Sequence, residues 1–180
     1  MSITTKHGDA GQTRLIFGQP VGKSHPAIAA VGEVDELNAV LGLARLHVQR
    51  PDVQQIIARA QHDLVALMGQ LSAGPENAAR YEENGFRSIG ESEVARLTAE
   101  GTALESEFPD GFKTWSVPGA SGNPASTWLE LARCVARRAE RAAGTLHPAP
   151  TPVVLAWLNR FSDVLWLCAQ VEETAPFILK

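Results

Sequence analysis

The chain has 180 residues, 20% of them charged, and a formal net charge of −4, which fits one globular domain large enough to bury a core. This slightly acidic balance argues against a nucleic-acid-binding protein, which usually carries a basic surface. No apolar run approaches membrane-spanning length, the first residues lack a signal peptide's apolar segment, and two cysteines are too few for a disulfide framework, so we expect a cytoplasmic protein.

Residues 1–26 are predicted to form an ordered loop region rather than a helix. They are rich in glycine, threonine and proline, and their apolar patch at 15–17 predicts at most one brief strand. Residues 4–13, TTKHGDAGQT, combine hydroxyl and amino groups with Gly8 and Gly11, which can adopt backbone angles that turn amides towards an anion. The segment has the ingredients of a phosphate-binding loop, although many similar loops bind nothing.

Residues 27–172 are predicted to form five helices, followed by a short tail at 173–180. Apolar residues recur at spacings of three and four along them, as in Val34, Leu37, Leu41, Ala44 and Val48, then Val53, Ile57, Leu64 and Leu67, and finally Leu158, Phe161, Leu165 and Cys168. Pro51 and Pro124 suit first helical turns, with Asn123 as a cap, and a third helix is predicted over 91–107. Residues 72–90 are predicted to be a long connection. An all-α, five-helix bundle in a single domain follows.

The fourth helix carries a stripe of arginines. Arg133, Arg137 and Arg141 lie within about 80° of one another around the helix, with Glu140 beside them. A solvated charged face is the commoner explanation of such a pattern. However, this helix offers only Glu130 and Glu140 against four arginines, and arginines without partners repel one another unless an anion or acidic surface meets them. The opposite face is predicted to be apolar, and Cys134 and Cys168 to be buried free thiols; the apolar residues are Trp128, Leu131, Val135, Ala139 and Ala142.

Two other helices offer polar groups. On the first, Asp35 shares a face with residues that would let another helix approach closely, from this chain or a second subunit: Asn38, Ala39 and Gly42. An ordinary exposed aspartate near a helix start is an equally good interpretation. On the fifth, Asn159 and Asp163 share a face opposite the apolar stripe and are expected to be buried polar groups that satisfy each other or a neighbouring arginine. The five histidines show no metal-ligand spacing.

Five segments, in order, resemble the PduO-type ATP:corrinoid adenosyltransferase family. They are TKHGDAGQT at 5–13, VGEVDELNAVLGLA at 31–44, VPG at 117–119, RCVARRAER at 133–141 and LNRFSDVLWLCA at 158–169. No single segment would be specific, whereas five ordered matches over nearly the whole chain are.

The resemblance implies a homotrimeric helical bundle that binds ATP and cobalamin between neighbouring subunits. Asp35 would pair with Arg137 across the interface, these two residues and Arg141 would serve catalysis, and Trp115 would face the corrin ring. Magnesium would be held mainly by ATP phosphates. Carried over position by position, the residues around ATP would be Thr5, Lys6, His7, Gly8, Thr13, Lys23, Arg137, Arg138, Glu140, Arg141 and Asn159.

The activity implied by the resemblance is transfer of the 5′-deoxyadenosyl group of ATP to the cobalt of cob(I)alamin, with triphosphate leaving. Cobalt is the nucleophile, so the protein needs only to align the substrates and stabilise charge on the leaving group. A flavoprotein reductase and an adenosylcobalamin-dependent acceptor enzyme would be partners.

Four features depart from the family's pattern: His7 in the ATP loop, a longer loop at 118–126, Trp115 in place of phenylalanine, and Gln170 where arginine is frequent. They favour an alternative in which the protein binds ATP or adenosylcobalamin as a carrier or sensor, without fast turnover. A third hypothesis, a helical interaction protein without a ligand, would leave the arginine stripe and the glycine-rich loop unrelated.

Overall fold

The computed structural model describes residues 4, 6–112 and 117–174. Its helices are α1 (Pro26–Arg45), α2 (Pro51–Ala73), α3 (Ala78–Glu83), α4 (Glu91–Glu105), α5 (Pro124–Gly144) and α6 (Pro152–Thr174). The five predicted helices are all present. The short α3 lies inside the predicted connection at 72–90, so the described residues contain six helices rather than five.

The N-terminal segment contains a small β-hairpin, which corrects the expected single strand at 15–17. Strand β1 (Gln12–Arg14) pairs antiparallel with β2 (Pro20–Gly22), with Thr13 opposite Val21. The apolar patch lies in the connecting turn, where Gly18 adopts a φ of 83° that glycine tolerates without strain. The amide of Ile16 donates to the Ser72 hydroxyl at 3.0 Å and so attaches the hairpin turn to the end of α2.

Helix starts follow the local sequence. In α5 the side chain of Asn123 accepts a hydrogen bond from the Ala125 amide at 2.9 Å, and Pro124 follows it, as predicted. In α1 the corresponding cap is His25, whose Nδ1 accepts from the Ala27 amide at 3.2 Å. Both helices therefore begin with a proline and a capped amide, which fixes where the N-terminal loop and the 117–123 loop join the bundle.

The helices pack side by side in the order α2, α1, α5, α6 and α4, and the predicted apolar faces form one core. All thirteen core residues named from their spacing in the first, second and fifth predicted helices are buried. At the centre, the fully buried rings of Trp157 and Phe161 lie 4.8 Å apart. Each large side chain of this kind contributes about 1.5–3 kcal/mol by leaving water.

Ion pairs and one close contact attach the 74–90 connection and α4 to α2. Asp63 on α2 is 1% exposed and accepts hydrogen bonds from the guanidinium groups of Arg87 and Arg96. A buried carboxylate without a cationic partner would destabilise the fold, so the burial of Asp63 requires Arg87 and Arg96. Tyr81 of α3 packs over Gly69, where an added Cβ would lie 2.0 Å from the tyrosine oxygen.

The end of α6 is bonded to two other segments. Glu172 is fully buried, and its carboxylate accepts from the amides of Gln49 at 3.3 Å and Arg50 at 3.0 Å. Its backbone carbonyl accepts from the Asn123 side chain at 2.6 Å. The α1–α2 corner, the start of α5 and the last turn of α6 are therefore joined at one point.

Two predictions about α5 were wrong. Cys134 is exposed, whereas Cys168 is buried as expected, and burial raises the pKa of the Cys168 thiol. Leu131 is 45% exposed rather than part of the core face, because the apolar arc of this helix is narrower than its composition suggested. None of the described helices is long and apolar enough to cross a bilayer.

Candidate functional site

The N-terminal loop folds back on itself beside the hairpin. The Gly11 amide donates to the Gly8 carbonyl at 3.1 Å, and the Lys23 amide donates to the Gly11 carbonyl at 2.9 Å. Lys6 has a φ of 61° and Gly11 a φ of 79°. Unusual backbone angles were expected at both glycines, but Gly8 does not have a positive φ.

Gly8 matters instead because of its contact with Lys23. A Cβ at this position would lie 2.9 Å from Nζ and 3.0 Å from Cε of Lys23, so the lysine side chain occupies the space that any larger residue needs. Thr13 lies in β1, and Lys6, His7 and Lys23 are all exposed. The loop thus presents the ammonium group of Lys23 beside Gly8 and carries a second exposed lysine, Lys6. Thr5 is outside the described residues.

On α5, Arg137 and Arg141 are exposed and make no hydrogen bond or ion pair with any described residue. Arg133 differs, because its Nε donates to Glu130 at 2.8 Å on the same helix. The stripe predicted from the sequence therefore offers two uncompensated guanidinium groups, one helical turn apart. Such a pair is suited to a multiply charged anion.

Arg138 points away from this pair. Its guanidinium donates to both Glu33 and Glu36 of α1, and these carboxylates raise its pKa above the usual range. The sequence analysis set four arginines against the two acids of α5, but α1 supplies two more acids and neutralises one of the four, Arg138. In the single chain Arg138 joins two helices and is not available to an anion without breaking these contacts.

Glu140 and Asn159 meet across the α5–α6 contact. The Asn159 amide donates to the Glu140 carboxylate at 3.2 Å. The predicted burial of Asn159 and Asp163 was wrong, because both are exposed; Asp163 lies 3.9 Å from Arg160, in line with the expected neighbouring arginine. The hydrogen bond orients Glu140 beside Arg137 and Arg141 along the same helix.

A cavity of about 480 Å³ opens between α4, α5 and α6, and it is called the interhelical cavity below. Arg137 lines it together with Arg133 and Arg160, while Glu105 and Asp163 supply acidic groups. The α4 wall was missed in the sequence, although its polar residues recur at helical spacing: Thr98, Thr102 and Glu105. Arg137 thus belongs both to the stripe and to this cavity.

An aromatic cluster adjoins the interhelical cavity. Trp166 lines it, and the Phe112 ring meets Trp166 edge-on with centroids 4.4 Å apart; Phe108 packs on the other side of Phe112 at 4.7 Å. Trp115 lies outside the described residues, three positions after Phe112.

The two remaining sequence features lie apart from these groups. Asp35 is exposed on α1, beside Asn38, Ala39 and Gly42, and has no partner among the described residues; in particular it does not pair with Arg137 of the same chain. In the longer loop, Gly119 and Gly122 adopt φ values of 85° and 72°. No described group of three or more His, Cys, Asp or Glu side chains could hold a metal ion.

Gln170, the departure on α6, is buried, and its Nε2 has no hydrogen-bond partner among the described residues. No described contact connects Lys6 or Lys23 with Arg137 or Arg141 in the same chain. One cavity is lined both by residues 25–27, at the start of α1, and by residues 145–148, after the end of α5, so these two helices run antiparallel. The N-terminal loop, which precedes α1, therefore lies at the end of the bundle towards which Arg141 is placed on α5. The structure therefore places the N-terminal loop and the C-terminal part of α5 at one end of the bundle without a described contact between their cations.

Comparison with known proteins identifies the family to which the chain belongs. A profile described as cobalamin adenosyltransferase matches residues 3–172. The corrinoid adenosyltransferase PduO of Citrobacter freundii is 34% identical over 175 residues, which are 96% of this chain and 50% of that protein. The cobalamin adenosyltransferase of Cupriavidus metallidurans is 36% identical over 180 residues, covering 96% of this chain and 89% of that protein.

Solved structures agree with these relatives. A variant of the PduO-type ATP:corrinoid adenosyltransferase from Lactobacillus reuteri, complexed with cobalamin and ATP, superposes with a TM-score of 0.83 at 29% identity over 99% of both chains. The present chain spans about half the length of the PduO proteins that it matches. Because the family profile and the relatives cover almost all of its residues, the chain belongs to the cobalamin adenosyltransferase family.

Proposed function

We propose that this protein transfers the 5′-deoxyadenosyl group of ATP to the cobalt of cob(I)alamin, forming adenosylcobalamin and releasing triphosphate. The observation that carries the proposal is the pair Arg137 and Arg141, exposed and without acidic partners on α5, in a chain related to enzymes of this name. Two uncompensated guanidinium groups suit a triphosphate better than they suit bulk solvent.

ATP is proposed to lie between the N-terminal loop of one subunit and α5 of another. The loop would supply Thr5, Lys6, His7, Gly8, Thr13 and Lys23, and the helices would supply Arg137, Arg138, Glu140, Arg141 and Asn159. Support comes from the exposed Lys6 and Lys23 and from the Glu140–Asn159 hydrogen bond of 3.2 Å. Arg138 would have to exchange Glu33 or Glu36 for a phosphate, so we assign it the smallest share of the binding.

The reaction is a displacement at the 5′ carbon of ATP. A cobalt–carbon bond forms with the electron pair of cob(I)alamin, the carbon–oxygen bond breaks, and triphosphate leaves with that bond's electrons. Lys6, Lys23, Arg137 and Arg141 would stabilise the charge that grows on the leaving group. Magnesium, held mainly by phosphate oxygens, would add to this stabilisation, since the described residues offer no cluster of protein ligands for it.

Cobalamin is proposed to bind between neighbouring subunits, with the interhelical cavity of one subunit forming part of its site and Trp115 against the corrin ring. The cavity combines an aromatic wall at Trp166 with the guanidinium groups of Arg137 and Arg160. An aromatic wall suits the corrin macrocycle, and guanidinium groups suit its amide and phosphate substituents. Because Arg137 lines this cavity and also belongs to the stripe, it would contact both substrates and help to align them for an in-line displacement.

Assembly as a homotrimer is part of the proposal, with Asp35 of one subunit paired to Arg137 of its neighbour. Asp35 has no partner among the described residues of its own chain, and small residues beside it permit close approach. The two free cysteines suit a reducing compartment such as the cytoplasm. A flavoprotein reductase and an adenosylcobalamin-dependent enzyme would supply the substrate and take the product.

An anaerobic assay with ATP, magnesium and chemically reduced cobalamin tests the proposal. We expect formation of light-sensitive adenosylcobalamin, followed by its absorption spectrum, with an equal amount of triphosphate. Release of ADP and phosphate without a cobalt–carbon product would contradict adenosyl transfer. Tight binding of ATP and cobalamin without multiple turnovers would favour the carrier or sensor alternative instead.

A further inference from the structure

A second cavity, with a volume of about 520 Å³, lies at the end of the bundle where α1 and α6 begin and α2 and α5 end. It is called the end cavity below. None of the residues proposed to contact ATP or the corrin lines it. Its volume falls within the range of about 300–1,000 Å³ that is usual for small-molecule sites. The end cavity is therefore large enough for a ligand and separate from the proposed active site.

The walls of the end cavity are mainly apolar. Leu71, Leu146 and Val154, all buried, form its floor. The charged side chains that line it are the carboxylates of Glu76 and Glu82, and no lysine or arginine is among its described lining residues. A carboxylate at an apolar wall disfavours an anion and favours a cation or an uncharged molecule. Glu76 and Glu82 are both exposed, so the lining disfavours phosphate-bearing ligands such as ATP without excluding them.

A few polar groups in the end cavity remain available for hydrogen bonding. His25 uses Nδ1 to cap α1, so Nε2 carries the proton of its neutral ring and can donate to a ligand. The Ser88 hydroxyl also lines the cavity and has no described partner. Gln70, in contrast, already uses its amide to bind the backbone of Ile89. An apolar chamber with a small number of free polar groups is typical of a specific small-molecule site.

One wall of the end cavity belongs to the hairpin. Leu15 and Gln19 line it from the two ends of the turn, and the Leu15 amide donates to the Gln19 carbonyl at 2.9 Å. The strands of this hairpin carry Thr13 and lead to Lys23. An occupant of the cavity would therefore contact the turn between Thr13 and Lys23, and it would restrain the hairpin.

We propose that the end cavity is a second binding site, for a small, largely apolar molecule that is uncharged or cationic. The proposal does not depend on adenosyl transfer, because it rests on the volume, the lining and the charge of this cavity alone. Occupancy would restrain the hairpin through Leu15 and Gln19.

Three fluorescent dyes that differ in charge provide the test on the full chain: uncharged prodan, cationic thioflavin T and anionic anilinonaphthalene sulfonate. We expect saturable binding, one molecule per chain, of prodan and thioflavin T, with the anionic dye at least about tenfold weaker. Stronger binding of the anionic dye, or no saturable binding of the other two, would overturn the proposal.

Two alanines of α3 provide a matched pair of variants. Ala78 lines the end cavity, whereas its exposed neighbour Ala79 does not. Ala78→Trp should fill the cavity and weaken prodan binding at least about tenfold, while Ala79→Trp should bind as the unchanged protein does. Val153→Trp, on the α6 wall, gives a second filling variant if Ala78→Trp turns its ring outward. Equal binding by all three variants would place the dye elsewhere and contradict the proposal.

Hydrogen exchange localises the occupant independently of fluorescence. Prodan at saturation should slow exchange at the hydrogen-bonded amides of Leu15 and Gly18 in the hairpin turn, and at Ile89 in the opposite wall. The same amides should be unaffected by prodan in Ala78→Trp. Protection confined to the interhelical cavity would overturn the assignment.

Discussion

The ammonium group of Lys23 lies against Gly8, at 2.9 Å from the position that a Cβ would occupy there. Gly8→Ala should therefore displace the lysine side chain rather than the backbone, because the far end of a flexible chain moves easily. Loss of one charge-assisted contact of about 1.5 kcal/mol would weaken ATP binding roughly tenfold, measured by calorimetric titration. Gly22→Ala is the control, since its nearest neighbour, Ser24 Oγ, is 3.7 Å away. Unchanged ATP affinity in Gly8→Ala would show that Lys23 does not contact the phosphates.

Arg141→Ala should remove most of the turnover and leave the fold intact. Arg141 is exposed and unpaired among the described residues, so nothing in the bundle depends on it. A contact to the developing triphosphate is worth about 2–4 kcal/mol, or roughly 30- to 1,000-fold in kcat/KM. Arg45→Ala, which removes an equally exposed arginine from α1, should keep its activity. Near-normal rates of Arg141→Ala at saturating ATP would show that the stripe does not bind triphosphate.

Asp35→Ala should weaken trimer assembly, observed by analytical ultracentrifugation at micromolar concentration. If Asp35 pairs with Arg137 of a neighbouring subunit and is buried there, removal of one partner costs about 3–5 kcal/mol per desolvated pair. The control is Glu36→Ala, which removes a partner of Arg138 within the chain and should leave the trimer intact at a cost below about 1 kcal/mol.

Exchanging the two charges, Asp35→Arg with Arg137→Asp, should restore assembly without restoring ATP binding. The reason is that the pair survives in reversed order while the guanidinium group leaves the stripe. A fully active monomer of the unchanged protein would contradict both the trimer and the pair.

Trp115→Ala should impair adenosylation that starts from cob(II)alamin and a reductant, while ATP binding and folding are retained. An apolar side chain beneath the corrin would occupy the place of the lower axial ligand and leave cobalt easier to reduce. If Trp115 were instead a core anchor, the same change would lower the free energy of unfolding by about 3–5 kcal/mol. Electronic spectra of cob(II)alamin with ATP distinguish these outcomes, and an undiminished four-coordinate signature in the variant would exclude a corrin-facing role.

The Arg50 cluster should make stability depend on acid. Arg50 binds both oxygens of Glu107 at 2.7 Å and also Asp52, and its guanidinium lowers the pKa of each carboxyl below its usual 4.5 and 3.8. The stabilisation is thus present above these values and is lost as pH falls through the lowered ones. Arg50→Gln should cost about 1 kcal/mol near pH 7, given the partial exposure of the pair, and little near pH 3.

Urea denaturation across this pH range measures the difference between the two proteins. Arg80→Gln is the control, because Arg80 stacks on Phe17 and has no carboxylate partner among the described residues. A difference for Arg50→Gln that stays constant with pH would show that the ion pairs do not contribute.

The fold was predictable where apolar spacing is regular. The face of Val34, Leu37 and Leu41 is buried as expected, and Asn123 caps α5, because both signals act within one helix. The short α3 was missed because its one buried residue is Tyr81, too little for a periodic pattern. The hairpin was misplaced since its apolar residues occupy the turn, where they contact α2 rather than alternate along a strand.

The sequence identified which residues belong to the candidate site, but not which side chains each of them contacts. Arg137 and Arg141 were found from their spacing, whereas the pairing of Arg138 with Glu33 and Glu36 depends on how α1 lies against α5. The interhelical cavity and the end cavity depend on the packing of several helices, which no local pattern encodes. The pairing of Asp35 and the position of Trp115 remain predictions.

The hydrogen bonds that Glu172 accepts limit how far the chain can be shortened from its C-terminal side. A tag or a fusion partner joined after Thr174 leaves the carboxylate on the amides of Gln49 and Arg50, and the carbonyl on Asn123. A stop codon at position 172 removes all three acceptors and leaves the α1–α2 corner and the start of α5 without their shared partner. Expression boundaries for this domain therefore belong beyond the last turn of α6, however short the tail that follows.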